Sequence, residues 1–207
     1  YSRAIALSAV SGADDAVPTI AKKVLVSDRD RHVLAFGCDP EDAIGTQDPL
    51  LIRFSHQETV NTWESTSTNT AGSLRIGSGS EIITAIETRQ QIIVFTDVSL
   101  HSLQFLGPPF TYGIDLISEN ITVISPLAAK AADDLVFWMG VEDFYVYDGR
   151  VQKLPCAIKS YIFNDINLFQ KEKIFAALNS SFNEIWWFYP SGDSETNDRY
   201  VIYNHVE

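Results

Sequence analysis

The chain has 207 residues, 45% of them hydrophobic, which is ample for a sizeable core and excludes wholesale disorder. With 15 basic and 27 acidic residues, its formal charge of −12 argues against groove-reading of DNA and against a basic membrane-surface patch. The first residue is Tyr1, so we expect a processed chain or part of a longer one.

Most apolar runs are short, rich in Val, Ile, Phe, Tyr and Trp, and separated by turn residues, the pattern of an all-β protein. In chain order the predicted strands are 23–27, 32–37, 50–55, 82–87, 92–96, 100–106, 128–132, 135–139, 144–148, 151–154, 173–179, 184–189 and 200–204. Residues 160–170 suit a short helix or an ordered crossing segment, and the Ala-rich run 3–10 is ambiguous between strand and helix. The Gly- and Ser-rich stretch 69–80 reads as a connector within one domain, and no low-complexity boundary divides the chain. No apolar stretch approaches the ~20 residues that span a bilayer, so no membrane-spanning segment is expected.

One unit recurs about four times: a strand, a tight polar turn, a very apolar second strand, then, in the last three copies, a further turn and a third strand. The second strands begin at His32, Ile92, Leu135 and Glu184, roughly 40–60 residues apart, which suits four-stranded β-propeller blades joined by variable loops. Second strands apolar on both faces fit sheets sandwiched between neighbours. The expectation is therefore a single propeller-type domain over 1–207, or a fragment of one, with four blades as a lower bound. A two-sheet sandwich would explain the repetition less well.

The residues that carry chemistry are scattered. His32, His56, His101 and His205 each stand alone, and no Cys/His cluster has zinc spacing. Cys38 and Cys156 make no disulfide framework and read as buried reduced thiols. Gly77 and Gly79 form a GxG that precedes no helix, so we expect a turn into the strand at 82–87 rather than a dinucleotide loop. Acids gather in loops, with Asp193, Glu195 and Asp198 the nearest approach to a calcium loop, but no glycine stands at its sharp turn. Solvated turn acids are the default, and no catalytic, cofactor-binding or metal residue is assigned. Trp63 lies in a polar connector and is the best candidate for surface recognition, whereas Trp138, Trp186 and Trp187 lie in apolar strands and are expected in the core.

Five segments together carry a resemblance. They are Val24 to Cys38; Asp48 to Ser55, with Trp63 and Thr68 to Gly72; Gln104 to Phe110; Val136 to Met139, with Phe144 to Val151; and Asn183 to Pro190. In that order they resemble bacteriophage virion structural proteins, more narrowly the tail hub or nozzle proteins of short-tailed phages (tail tubular proteins B). The resemblance implies a non-enzymatic virion component with propeller domains. It also implies a homo-oligomeric ring, usually of six copies, contacts with the adaptor and tail fibres, and a channel through which genomic DNA passes without specific binding. It implies no cofactor. A receptor- or glycan-binding propeller and a propeller glycosidase or depolymerase are the alternatives; the latter needs two facing carboxylates.

Overall fold

A computed structural model describes residues 5–206. Fifteen strands form four antiparallel sheets among these residues, so the all-β expectation and the four repeating units both hold. The first sheet runs in sequence order through β1 (Ala21–Ser27), β2 (His32–Cys38), β3 (Leu51–Phe54) and β4 (Gly72–Arg75). The second comprises β5 (Ile82–Glu87), β6 (Ile92–Thr96), β7 (Ser99–Gly107) and β8 (Thr111–Glu119). The third comprises β9 (Ala129–Ala132), β10 (Leu135–Met139), β11 (Phe144–Tyr147) and β12 (Val151–Lys153), and the fourth β13 (Phe175–Asn179), β14 (Glu184–Tyr189) and β15 (Arg199–Asn204).

Two strands fall where none was expected. β4 lies in the stretch read as a connector, and β8 follows the Pro-Pro turn at 108–109. Residues 160–170 resolve into a helix of about two turns, α1 (Lys159–Asp165), followed by a 3-10 segment at Leu168–Lys173. Of the ambiguous run 3–10, residues 3 and 4 lie outside the described part, and Leu7–Ala9 form a 3-10 turn.

The chain divides into two compact units, Tyr1–Glu87 with Gln91–Leu116 and Thr88–Gln90 with Ile117–Glu207. In the first unit, period-two alternation sends Leu34 and Phe36 of β2, with Ile52 and Phe54 of β3, to one face. There they meet Ala85, Ile92, Val94 and Leu103 of the second sheet in one buried cluster. Each fully buried side chain of this size contributes roughly 1.5–3 kcal/mol. The other face of the first sheet carries Val33, Ala35 and Leu51, which pack with Ala16, Val17 and Trp63 from outside the sheet. β2 is therefore buried along its whole length. Within it Gly37 has φ +59°, a left-handed conformation, and an added Cβ would stand 3.3 Å from the Pro49 carbonyl oxygen.

In the second unit, Ile185, Trp187 and Tyr189 form the buried face of β14. Trp187 packs on Phe144 of β11 with ring centroids 4.9 Å apart, and its Nε1 donates to the Ala128 carbonyl at 3.0 Å. The crossing helix α1 contributes buried Ile162 and sets Phe163 against Phe144 at 5.3 Å.

Candidate functional site

The four histidines make contacts within the fold. His32 is buried with its Nδ1 2.7 Å from the Ser55 carbonyl, and burial pushes its pKa below the ordinary value. His56 caps a loop through Thr70, and His205 lies 5.5 Å from the Phe137 ring. His101 is the most suggestive: its Nε2 is 2.9 Å from Ser99 Oγ and 3.3 Å from Ser78 Oγ. Both His101 and Ser99 are buried, however, and Ser99 Oγ also contacts Thr96 Oγ1 at 2.7 Å. Burial depresses the imidazole, so the chain of hydroxyls and neutral ring holds the β6–β7 turn together.

The Gly77/Gly79 segment is a turn entering β5, as expected. Asp97 closes it by accepting from Ser80 N at 2.8 Å and Ser80 Oγ at 2.6 Å. Among the described residues, no group of three or more His, Cys, Asp or Glu side chains is placed to hold a metal ion. In the loop 193–198, Asp198 accepts from Ser191 N and Oγ, while Asp193 and Glu195 are exposed. No helix among the described residues is long and apolar enough to cross a membrane. Cys38 is buried, with its thiol pushed up to about 12 by loss of solvation, whereas Cys156 is half-buried, so the reading of two buried thiols holds for Cys38 alone.

Asp143 is a turn acid held by two lysines. It is buried, and its two oxygens take Lys153 Nζ at 2.6 Å and Lys159 Nζ at 2.8 Å. Burial alone would raise this carboxyl, but the hydrogen bonds and charges of the two lysines outweigh it and hold it below the ordinary value. Its contribution is therefore present above the unfolded pKa of 3.8 and is lost as pH falls through the lower folded value. Asp143→Asn is expected to reduce stability at neutral pH by about 1–2 kcal/mol, the lysine ends being solvent-screened. Urea unfolding across pH should show the variant and the parent converging toward strongly acidic conditions.

The tryptophans correct the sequence reading. Trp63, expected at the surface, is 1% exposed. The polar connector folds over the first sheet, where Trp63 Nε1 donates to Val60 O at 2.9 Å and the Arg53 guanidinium lies 5.9 Å from its ring. Trp138 and Trp187 are core residues as expected, but Trp186 is only half-buried. It belongs to an apolar face of the fourth sheet with Phe175, Phe188, Tyr200 and Ile202, of which Tyr200 is 57% exposed. Phe175 and Phe188 stack at 4.7 Å and 15°, and Trp186 and Tyr200 at 5.1 Å and 21°. That spacing matches neighbouring strands at about 4.8 Å. Aromatic side chains grouped in this way suit packing against other aromatic and aliphatic groups. Glu184 closes one end of this face, accepting from Trp186 Nε1 at 2.9 Å.

On the opposite side of β15 lies an apolar cavity of about 200 Å³. It is lined by Val201 and Tyr203 of β15, Trp187 of β14, Phe144 of β11, and Leu154, Cys156 and Ile158 from the segment before α1. The fourth sheet thus presents an aromatic face and, behind β15, an apolar cavity. Comparison with protein-family models finds no match, and comparison with curated proteins finds none either.

Proposed function

We propose that the chain is a non-enzymatic structural component of a phage tail, built of propeller-type blades and working through protein contacts in an oligomeric ring around the DNA path. The observation that carries this reading is the burial of β2 and β6 along their whole length. A strand without a solvent face belongs to a sheet with neighbours on both sides, and stacking of the first two sheets follows that rule. Propeller blades are the arrangement of repeated antiparallel sheets that this packing supports. The resemblance to tail hub and nozzle proteins supports the placement in a virion.

The charge is compatible with passage of DNA. Asp28, Asp134, Glu142, Asp148 and Asp193 are exposed in the turns between strands, where they would repel a phosphate backbone rather than grip it. Burial of Trp63 removes the residue that favoured a glycan-binding module. Mass spectrometry and a low-resolution reconstruction of purified virions test the proposal. The chain should be present in fixed copy number, as a ring below the portal. Its absence from virions would overturn the tail assignment, and a position remote from the DNA path would overturn the channel role.

A further inference from the structure

The contact between the first two sheets encloses a group that titrates near neutral pH. His32 opens β2, and its ring is surrounded by Phe54 of β3, Phe105 of β7 and Tyr112 of β8, with centroids 6.2, 5.7 and 5.4 Å away. Tyr112 in turn packs on Phe54 at 4.9 Å and on Phe105 at 5.5 Å. Four rings from both sheets thus form one cluster, in which His32 and Tyr112 are 1% and 2% exposed.

Hydrogen bonding fixes the state of the imidazole. Its Nδ1 lies 2.7 Å from the Ser55 carbonyl oxygen, which can only accept, so Nδ1 carries the hydrogen. The lone pair of the neutral ring is then on Nε2. That atom is buried and has no hydrogen-bond partner among the described residues, and neither has the Tyr112 hydroxyl. A proton added at Nε2 would meet no acceptor, and an imidazolium in an aromatic enclosure loses its hydration.

The surrounding charges do not offset this loss. In the turn before β2, Asp30 attracts a proton on His32, but both of its oxygens are already taken by the Arg29 guanidinium at 2.8 and 2.7 Å. Ser27 of β1 stands opposite His32 and donates to Glu87 of β5 at 2.6 Å, so that carboxylate is engaged as well. His56, after β3, opposes a charge on His32. Phe54, Ser55 and Phe105 carry no charge, and burial pushes the Tyr112 hydroxyl up, which keeps it neutral. Attraction of a cation to the ring faces is the smaller effect for a fully buried group.

We propose that His32 is an acid-sensitive latch: uptake of one proton at Nε2 drives the ring out of the four-ring cluster and loosens the contact between the first and second sheets. The latch is closed above the ordinary imidazole value of 6.5. It weakens as pH falls below that value, because the released ring binds the proton and the enclosed ring does not. The inference is independent of the tail assignment.

The test compares the full chain with His32→Gln, whose side-chain amide can still donate to the Ser55 carbonyl but takes up no proton. Urea unfolding is followed at about pH 7.5 and about pH 5. Other titrating groups, His101 and the turn acids among them, are common to both proteins and cancel in the ratio of their unfolding constants. One linked proton changes such a constant by at most about tenfold per pH unit, so across this range the parent should lose about tenfold relative to the variant. Two readings on the parent decide the matter even if the variant does not fold. In NMR spectra of the imidazole nitrogens, Nε2 of folded His32 should stay unprotonated at about pH 5.5. Exchange of the Val33 and Ser55 amides, which bond between β2 and β3, should speed up about tenfold on acidification once corrected for its intrinsic pH dependence. A ratio that does not change with pH overturns the proposal. So does a His32 protonated on both nitrogens with those amides still protected, which would mean that the rings accommodate the cation. A changed ratio without faster exchange would make His32 a core residue felt only on global unfolding, and would overturn it as a latch.

Discussion

Arg53→Ala is expected to lower the unfolding free energy by about 3–5 kcal/mol, because it removes buried hydrogen bonds from a charged donor, each worth roughly 1.5–3 kcal/mol. Arg53 sits in β3 opposite Ala35 and is 1% exposed. Its guanidinium donates to the carbonyls of Ala16 at 2.5 Å, Asp39 at 3.2 Å and Trp63 at 3.3 Å, so one side chain ties three separate segments to the first sheet. Truncation leaves those acceptors facing a void and frees Trp63 from the cation above its ring. Arg53→Lys keeps the charge but has no planar fork to reach three carbonyls, so it should recover only part of the loss. Guanidinium unfolding measures both. A loss below ~1 kcal/mol for the alanine variant would mean that water replaces the guanidinium at little penalty.

Trp187→Ala is expected to cost about 3–5 kcal/mol, as for other buried aromatic truncations. The indole fills the space between β14 and β11 against Phe144, and it lines the cavity beside β15, so its removal enlarges an existing void. Trp187→Phe separates the two contributions. It retains most of the packing but leaves the Ala128 carbonyl without the indole donor, for an expected loss of about 1–2 kcal/mol. Thermal unfolding of both variants against the parent gives the comparison. Equal losses would assign the whole effect to the hydrogen bond, and no loss in either would refute the packing role of this ring.

The strands were legible where apolar residues are dense. β5, β6, β10 and β14 have the bounds that their composition predicts. β4 and β8 were not legible, because Gly72-Ser73-Leu74-Arg75 carries a single apolar side chain and β8 mixes Tyr112 and Ile114 with Gly113 and Asp115. Each pairs with its neighbour through backbone groups, which sequence patterns do not register. Trp63 misled for a related reason. Its neighbours are polar, and only the tertiary fold reveals that the connector closes over a sheet face whose strand carries a buried arginine. The aromatic face of the fourth sheet was hidden differently. Both parities of β14 are aromatic, so no alternation separates the core-facing Trp187 from the half-exposed Trp186.

Burial on both sides of β2 and β6 has a consequence for how this sequence can diverge. A strand with one solvent face can drift at every second position while keeping its core. In β2 and β6 neither parity is free, so accepted changes there must conserve volume and occur together with changes in the sheets alongside. Variation between descendants should accumulate instead in turns and outer strands. Their shared ancestry would then be carried by a few short, discontinuous apolar stretches rather than by any long conserved block.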